Sequence, residues 1–246
     1  MSDTTLSVMT FNVGNGLVSP ANLVAALRQS KSAVVGLQEL NAEQATAIER
    51  ELGDTYPHRV MRGSGFSGRA LLSTHPIGAS EWVELAPDRP DLRASINLPG
   101  QSLGIVVAHP PPPRPGRRGI VFDPVTATQI AHLGDLTASM PPALLLGDFN
   151  MTPRHPYHAR LQAAGLVDAW LEIGGKGGST FPQRLGKTRR VDHHLSWVPL
   201  PSVARVDYIW RTPGIIATAA WVGHAAGSDH RPVMAELVVR GASDER

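Results

Sequence analysis

The sequence predicts a layered α/β protein built around one core, and three observations predict it. Short apolar runs rich in Val, Ile and Leu recur along the chain, turn residues separate them, and segments with helical spacing lie between some of them. The runs Leu6 to Phe11, Ala33 to Leu37, Arg69 to Leu72, Leu103 to Ala108, Ala143 to Leu146, Val206 to Trp210, Ile215 to Val222 and Val233 to Val239 fit strands. Helical patterns run from Pro20 to Ser30, with Leu23, Val24 and Leu27 apolar, and from Asn41 to Leu52, which is rich in helix formers. Val125 to Ser139 places Ile130, Leu133 and Leu136 on one side, and His155 to Ala164 is a shorter candidate. Two segments break this rhythm and are expected to be surface loops. Pro110 to Gly119 (PPPPRPGRRG) is too proline-rich for a regular strand or helix, and Gly174 to Ser202 is long, Gly-rich at its start and basic in the middle.

The 246 residues fit one domain spanning 1–246. An apolar content of 42% with 18% charged residues suits a protein with a large buried core, and a net charge of +2 is too small to imply nucleic-acid binding by itself. The absence of cysteine excludes disulfides, thiol nucleophiles and thiolate-held zinc or iron–sulfur centres. No basic leader is visible, and no apolar run reaches the ~18 residues of a membrane span. The expectation is a soluble, cytoplasmic protein, although a removed leader would leave no trace in this sequence.

Polar residues that can do chemistry recur where the apolar runs end. In LLLGDFNMTP a buried run ends at Gly147 and is followed by Asp148, Phe149 and Asn150. Side chains alternate across a strand, so Asp148 and Asn150 can share a side while Phe149 faces the core. A charged acceptor beside an amide suits holding a water and a phosphoryl oxygen together; an Asx-turn closing the strand is the plainer alternative. GSDHRPV places Asp229 and His230 in a polar turn before a strand, a pattern that surface turns also produce. VVGLQEL puts Glu39 after an apolar run, where burial would demand a partner or a cation and a strand mouth in water would not. Asn12 ends the first run in VMTFNVGNG, His109 closes VVAHPPPP, and Asp207 interrupts ARVDYIW, where a partner such as an imidazole N–H is needed. Few random globular chains would end five strands or more in Asn, Glu, His or Asp.

The ordered set TFN, QE, H, GDFN, DYI and SDH resembles the endonuclease/exonuclease/phosphatase superfamily, the DNase I-like proteins, and in particular its small bacterial members. The likeness runs from Asn12 to His230. It implies a four-layered α/β sandwich, two packed mixed β-sheets flanked by helices. It also implies a divalent-metal-dependent phosphoesterase, with Mg²⁺ or Mn²⁺ held chiefly by Glu39 with Asn12 and Asp229 nearby, all hard oxygen donors. On the same resemblance Asp148 positions or deprotonates the attacking water and Asn150 holds a phosphate oxygen. His230, oriented by Asp207, contacts the phosphoryl group or moves a proton, and His109 stabilises developing charge or assists the leaving group.

One departure is visible. In DNase I a glutamate from a neighbouring strand supports the histidine corresponding to His109. The segment expected to occupy that strand, GFSGRALLSTHPI, offers Arg69 and Ser73 but no carboxylate. A DNase-like second acid–base pair is therefore not expected, and Arg69 is assigned either to a substrate phosphate or to a solvated surface. Phe181, in Thr-Phe-Pro, either stacks on a leaving group or anchors its loop. Asp192, His193 and His194 lack zinc-site spacing and read as plain loop. Arg114, Arg117, Arg118, Arg184, Lys187, Arg189 and Arg190 make two basic loops that either attract a polyanion or are simply solvated.

The expected substrate is a phosphate ester of a small molecule or lipid headgroup, with phosphotriester hydrolysis as a side activity. A nuclease is the second choice, because the chain lacks the charge for gripping a duplex, and a non-catalytic binding protein on the same scaffold is the third. No protein partner is inferred.

Overall fold

The computed structural model describes residues 2–117, 119–175, 178–184 and 199–241. Arg118, Lys187, Arg189, Arg190, Asp192, His193 and His194 lie outside them. The strands are β1 (Thr4–Asn12), β2 (Val34–Gln38), β3 (His58–Arg62), β4 (Arg69–Ser73), β5 (Ile77–Val83), β6 (Asp91–Leu98), β7 (Gln101–Ala108), β8 (Arg114–Gly116), β9 (Gly119–Val121), β10 (Ala143–Asp148), β11 (Val167–Asp168), β12 (Asp207–Arg211), β13 (Ile215–Val222) and β14 (Val233–Val239). The helices are α1 (Pro20–Ser30), α2 (Ala42–Glu51), α3 (Pro124–Ala138), α4 (Pro156–Ala163) and α5 (Ala169–Glu172).

Two six-stranded mixed sheets form, one in the order β13-β14-β1-β2-β4-β3 and the other β11-β12-β10-β7-β6-β5. Alternation within each strand builds four layers. In β10, Leu144 and Leu146 face the first sheet, where they meet Val8, Val34, Leu71, Ala235 and Leu237. Leu145 faces the opposite way and packs with Ile130 and Leu133 of α3 and Leu161 of α4. The outer face of the first sheet, with Met9, Phe11, Val35 and Leu37, is covered by Leu23, Val24 and Leu27 of α1 and Ala47 and Ile48 of α2. Burial on both faces explains why these strands read as continuous apolar runs. The expected DNase I-like sandwich is the fold observed.

Sequence patterning missed several strands. β3 and β5 are sheet edges and β5 is largely exposed, so neither carries a strong apolar signal. β6 carries a clear one, with Leu92, Ala94, Ile96 and Leu98 buried in alternation. Pro110 to Gly119 is not wholly irregular either. Arg114–Gly116 pairs with Gly119–Val121 in a small hairpin that joins neither large sheet, where the N–H missing from Pro115 leaves no ladder position open in a neighbouring strand. No helix among the described residues is long and apolar enough to cross a membrane.

One glycine in the site motif is required by close approach. A Cβ at Gly147 would lie 2.1 Å from the carbonyl oxygen of Ala108 on the neighbouring strand β7. Gly147→Ala must push β10 from β7 and should cost about 1–3 kcal/mol, as overpacking of a tight interior does. Thermal unfolding is expected to show a fall of several degrees, whereas Gly53→Ala, with nothing within 4 Å of its new Cβ, should leave the midpoint nearly unmoved.

Candidate active site

Topology explains why motifs scattered over the chain can meet. β1 and β2 run parallel, as do β7 and β10, so Asn12, Glu39, His109 and Asp148 all lie at C-terminal ends on one end of the sandwich. β14 and β12 run antiparallel to their neighbours β1 and β10, so they begin where those strands finish. His230 and Asp207 therefore arrive at the same end from the opposite chain direction.

Asp148 is the hub. Its Oδ2 accepts from Asn12 Nδ2 at 2.9 Å, and the Nε2 atoms of His109 and His230 lie 3.3 Å and 3.6 Å away. Its Oδ1 accepts from the backbone N–H of Asn150 at 2.9 Å, so the Asx-turn does form, and it holds Asn150 in left-handed backbone with φ 53°. Asn150 Nδ2 donates to the Pro110 carbonyl at 3.1 Å and is half-buried at the mouth. Burial works against the charge of Asp148, but His230, His109 and Asn12 outweigh it and hold the carboxyl well below the usual carboxylate range.

His230 Nδ1 sits 3.0 Å from Asp207 Oδ2. Burial opposes its charge, yet Asp207 and then Asp148 raise its pKa well above the ordinary 6.5, so it is an imidazolium at neutral pH. The face of Phe181 lies against it, ring centroids 4.7 Å apart and tilted by 38°. Phe181 and its neighbours are pinned to the site by Thr180 O, which accepts from Arg231 N–H at 2.9 Å, and by Asp229 O, which accepts from Gln183 N–H at 2.7 Å. This part of the long loop is a wall of the site as well as a surface element. Ser228, which the motif contains but patterning did not single out, bonds the Asn12 carbonyl through Oγ at 2.7 Å and accepts from His230 N–H at 3.1 Å.

Glu39 occupies left-handed backbone with φ 56°, a conformation that costs a non-glycine residue roughly 1–2 kcal/mol and turns the chain directly from β2 towards α2. Asn41 caps α2 in a reciprocal pair with Gln44, fixing that turn. The Glu39 carboxyl is pushed up to about 7 by burial first, then by the negative charge of Asp229, with Asp148 adding to it and His230 and Asn12 opposing. Asp229 is half-buried beside the turn after β1. Asn12 Oδ1 accepts from Gly14 N–H at 2.9 Å and keeps one lone pair, while its amide nitrogen supports Glu39 and Asp148. Crowded carboxylates with amide oxygen beside them fit a hard divalent cation, which would offset both the burial and the repulsion that raise Glu39.

A second set of ligand atoms, from Asp148, Asp207 and His230, lies within 4.8 Å of one another. A cation there would have to displace the His230 proton that the two carboxylates hold. In the structure this triad is ion-paired, with His230 between the two carboxylates.

The structure corrects the reading of Arg69. The side chain is fully buried, so it is neither solvated nor aimed at a substrate phosphate. Its Nη2 donates to the His109 carbonyl at 3.1 Å and lies 3.8 Å from Asp91 Oδ1. The neighbour of His109's strand is β6, not the segment around Arg69, which lies in the other sheet. β6 supplies the carboxylate Asp91, whose Oδ1 accepts from the backbone N–H of His109 at 3.2 Å and whose Oδ2 accepts from Gln129 at 2.7 Å. Asp91 does not bond the imidazole, so a DNase-like second acid–base pair is not formed. Burial, with Arg69 and Arg89 adding to it against Asp148, pushes His109 down to about 4, leaving it neutral with Nε2 directed at Asp148.

A family model described as "Endonuclease/Exonuclease/phosphatase family" matches residues 9–230, and the chain belongs to that family. Its two packed six-stranded sheets are the DNase I-like hydrolase fold of that family. No curated protein sequence matches it. Among solved structures, an endonuclease/exonuclease/phosphatase from Beutenbergia cavernae DSM 12333 superposes with a TM-score of 0.74 at 21% identity, covering 97% of this chain and 72% of that one. A family protein from Leptotrichia buccalis C-1013-b gives 0.69 at 17% identity over 94% and 99% of the two chains. D. rerio TDP2, complexed with a single-strand DNA product, gives 0.69 at 18% identity over 95% and 99%.

The electrostatics of the ion-paired triad are measurable. In an NMR titration of the metal-free protein, His230 should stay protonated well above pH 6.5, and Asp207→Asn should lower its pKa. The sign follows from a folded value above the unfolded one: the contribution to stability is full below pH 6.5 and is lost as pH rises through the raised value. A wild-type titration at or below pH 6.5 contradicts the ion pairing.

Proposed function

We propose that the protein is a divalent-metal-dependent hydrolase of phosphate monoesters or diesters, its substrate a small molecule or lipid headgroup, acting by in-line attack of water. The observation that carries this reading is the meeting of Asn12, Glu39, His109, Asp148, Asn150, Asp207, Asp229 and His230 at one end of the sandwich, with His230 between two carboxylates.

Mg²⁺ or Mn²⁺ held by Glu39 and Asp229, with Asn12 beside them, would neutralise charge on the phosphoryl oxygens. Asp148, depressed in pKa, is a weak base; it accepts a hydrogen bond from the water, fixes its line of approach, and takes the water's proton only as the new P–O bond forms and the ester P–O bond breaks. Asn150 exchanges its bond to the Pro110 carbonyl for one to a phosphoryl oxygen. His230 Nε2–H donates to the phosphoryl group, and Asp207 keeps the ring oriented and charged. Neutral His109 donates through Nε2 to developing charge. A protein that only bound its ligand would have no need of the ion-paired triad.

A nuclease is the second reading, supported by the likeness to TDP2 bound to a single-strand DNA product. The net charge of +2 weighs against a duplex substrate.

Release of p-nitrophenol from bis-p-nitrophenyl phosphate is expected with Mg²⁺ or Mn²⁺, to vanish in EDTA and to return on adding the ion. Glu39→Gln should lower kcat by about 10³-fold, the scale on which loss of transition-state charge stabilisation acts. Turnover that survives EDTA contradicts the reading. No turnover of monoester, diester, triester, plasmid or lipid substrates with Mg²⁺, Mn²⁺, Ca²⁺ or Co²⁺ favours a non-catalytic binding protein.

A further inference from the structure

Along the proline run that follows His109 lies a cleft of about 350 Å³ lined by none of the site residues. Pro111, Pro112 and Pro113 form one wall, Ala86 and Pro87 another, and Arg89 and Arg114 supply guanidinium groups. We propose that this cleft is a subsite for a second anionic group, a phosphate or a carboxylate, carried by the same substrate whose phosphoryl group is attacked, with Arg89 as its main contact. The proposal rests on the hydrolase reading and narrows its substrate class.

Three observations support it. The first is continuity. Asn150 bonds the carbonyl of Pro110, and the proline wall begins at the next residue. Three residues span at most about 10 Å, so the cleft is within reach of a short linker from the reacting phosphorus.

The second is charge. Arg89 is half-buried in the cleft, near enough to Asp91, Arg69 and His109 to act on the titration of each. Arg114 stands at the rim, 3.9 Å from Asp123, which also lines the cleft. Two guanidinium groups against one carboxylate leave the lining net positive. A guanidinium binds the paired oxygens of phosphate or carboxylate through two parallel N–H bonds, a geometry that lysine cannot reproduce.

The third is shape. Proline has no backbone N–H and little freedom, so the wall is preformed and loses little entropy on binding. At about 350 Å³ the cleft is near the lower end for ligand pockets, large enough for one anionic group on a short chain and too small for a nucleic-acid duplex. Arg69, the arginine that sequence reasoning assigned to this work, is sealed beneath His109, and Arg89 is the arginine placed where a ligand can reach it.

Calorimetry with Mg²⁺ present tests this with phosphonates, whose P–C bond the enzyme cannot hydrolyse: propylphosphonate, propane-1,3-bisphosphonate and 4-phosphonobutanoate. The wild type should bind at least one doubly anionic probe about tenfold more tightly than propylphosphonate, the worth of one charge-assisted pair of hydrogen bonds. The stronger of the two identifies the second group as phosphate or carboxylate. Arg89→Ala should bring the ratio near one, and Arg89→Lys should lower it part of the way. Mg²⁺ chelation by each probe is measured in a protein-free titration and subtracted before probes are compared; between variants it cancels.

A wild-type ratio near one, or a ratio unchanged in Arg89→Ala, overturns the proposal. Should Arg89→Ala fail to fold, the wild-type ratio and Arg89→Lys decide. The two readings fail separately. Turnover of bis-p-nitrophenyl phosphate with no binding preference removes the subsite alone, and a binding preference with no turnover of any ester removes the hydrolase alone.

Discussion

The buried carboxylate of Asp148 is the constraint on which the rest of the site depends. A charge this deep is tolerated only when fully surrounded by donors, and here they come from four separate stretches of chain: Asn12 at the end of β1, His109 after β7, the Asn150 N–H after β10, and His230 before β14. Two of those strands belong to one sheet and two to the other. Satisfying Asp148 therefore fixes how the sheets meet at this end, and the same bonds that lower the cost of burial assemble the chemistry.

Around that hub, charge is sorted by environment. His230, between two carboxylates, is held protonated, while His109, equally buried but close to two arginines, is held neutral. Two imidazoles a few ångströms from one carboxylate thus reach neutral pH in opposite states. Glu39 lies on the other side of the balance, raised by burial and by neighbouring carboxylates, which is the situation a divalent cation resolves. Left-handed backbone at Glu39 and Asn150 shows that the chain is held in costly conformations where these side chains must point inward.

Much of this was legible in the sequence because the central strands are buried on both faces, so that each ends abruptly where an apolar run meets Asn12, Glu39, His109, Asp148 or Asp207. The family resemblance then supplied the order of the motifs and the layered sandwich. Less legible was anything that depends on which strand lies beside which. Asp91 sits on β6, whose alternation could have been read, but its pairing with β7 is a fact of topology. Arg69 looked like a phosphate ligand because only the fold shows that the opposite sheet covers it. Phe181 was visible as part of Thr-Phe-Pro, but its packing on His230 depends on hydrogen bonds to the turn after β13. Arg89 carried no local signal, since an arginine between Asp88 and Pro90 reads as an ordinary surface loop.

The central proposal is that the carboxylates of Glu39 and Asp229 hold a divalent cation while Asp148, Asp207 and His230 hold a proton. Diffraction from crystals grown with Mn²⁺, recorded at a wavelength where manganese scatters anomalously, locates the ion without reference to activity. The account predicts a peak bounded by oxygens of Glu39 and Asp229, with His230 still bonded to Asp207. A peak bounded by Asp148, Asp207 and a His230 ring nitrogen, with the His230–Asp207 bond broken, would contradict it.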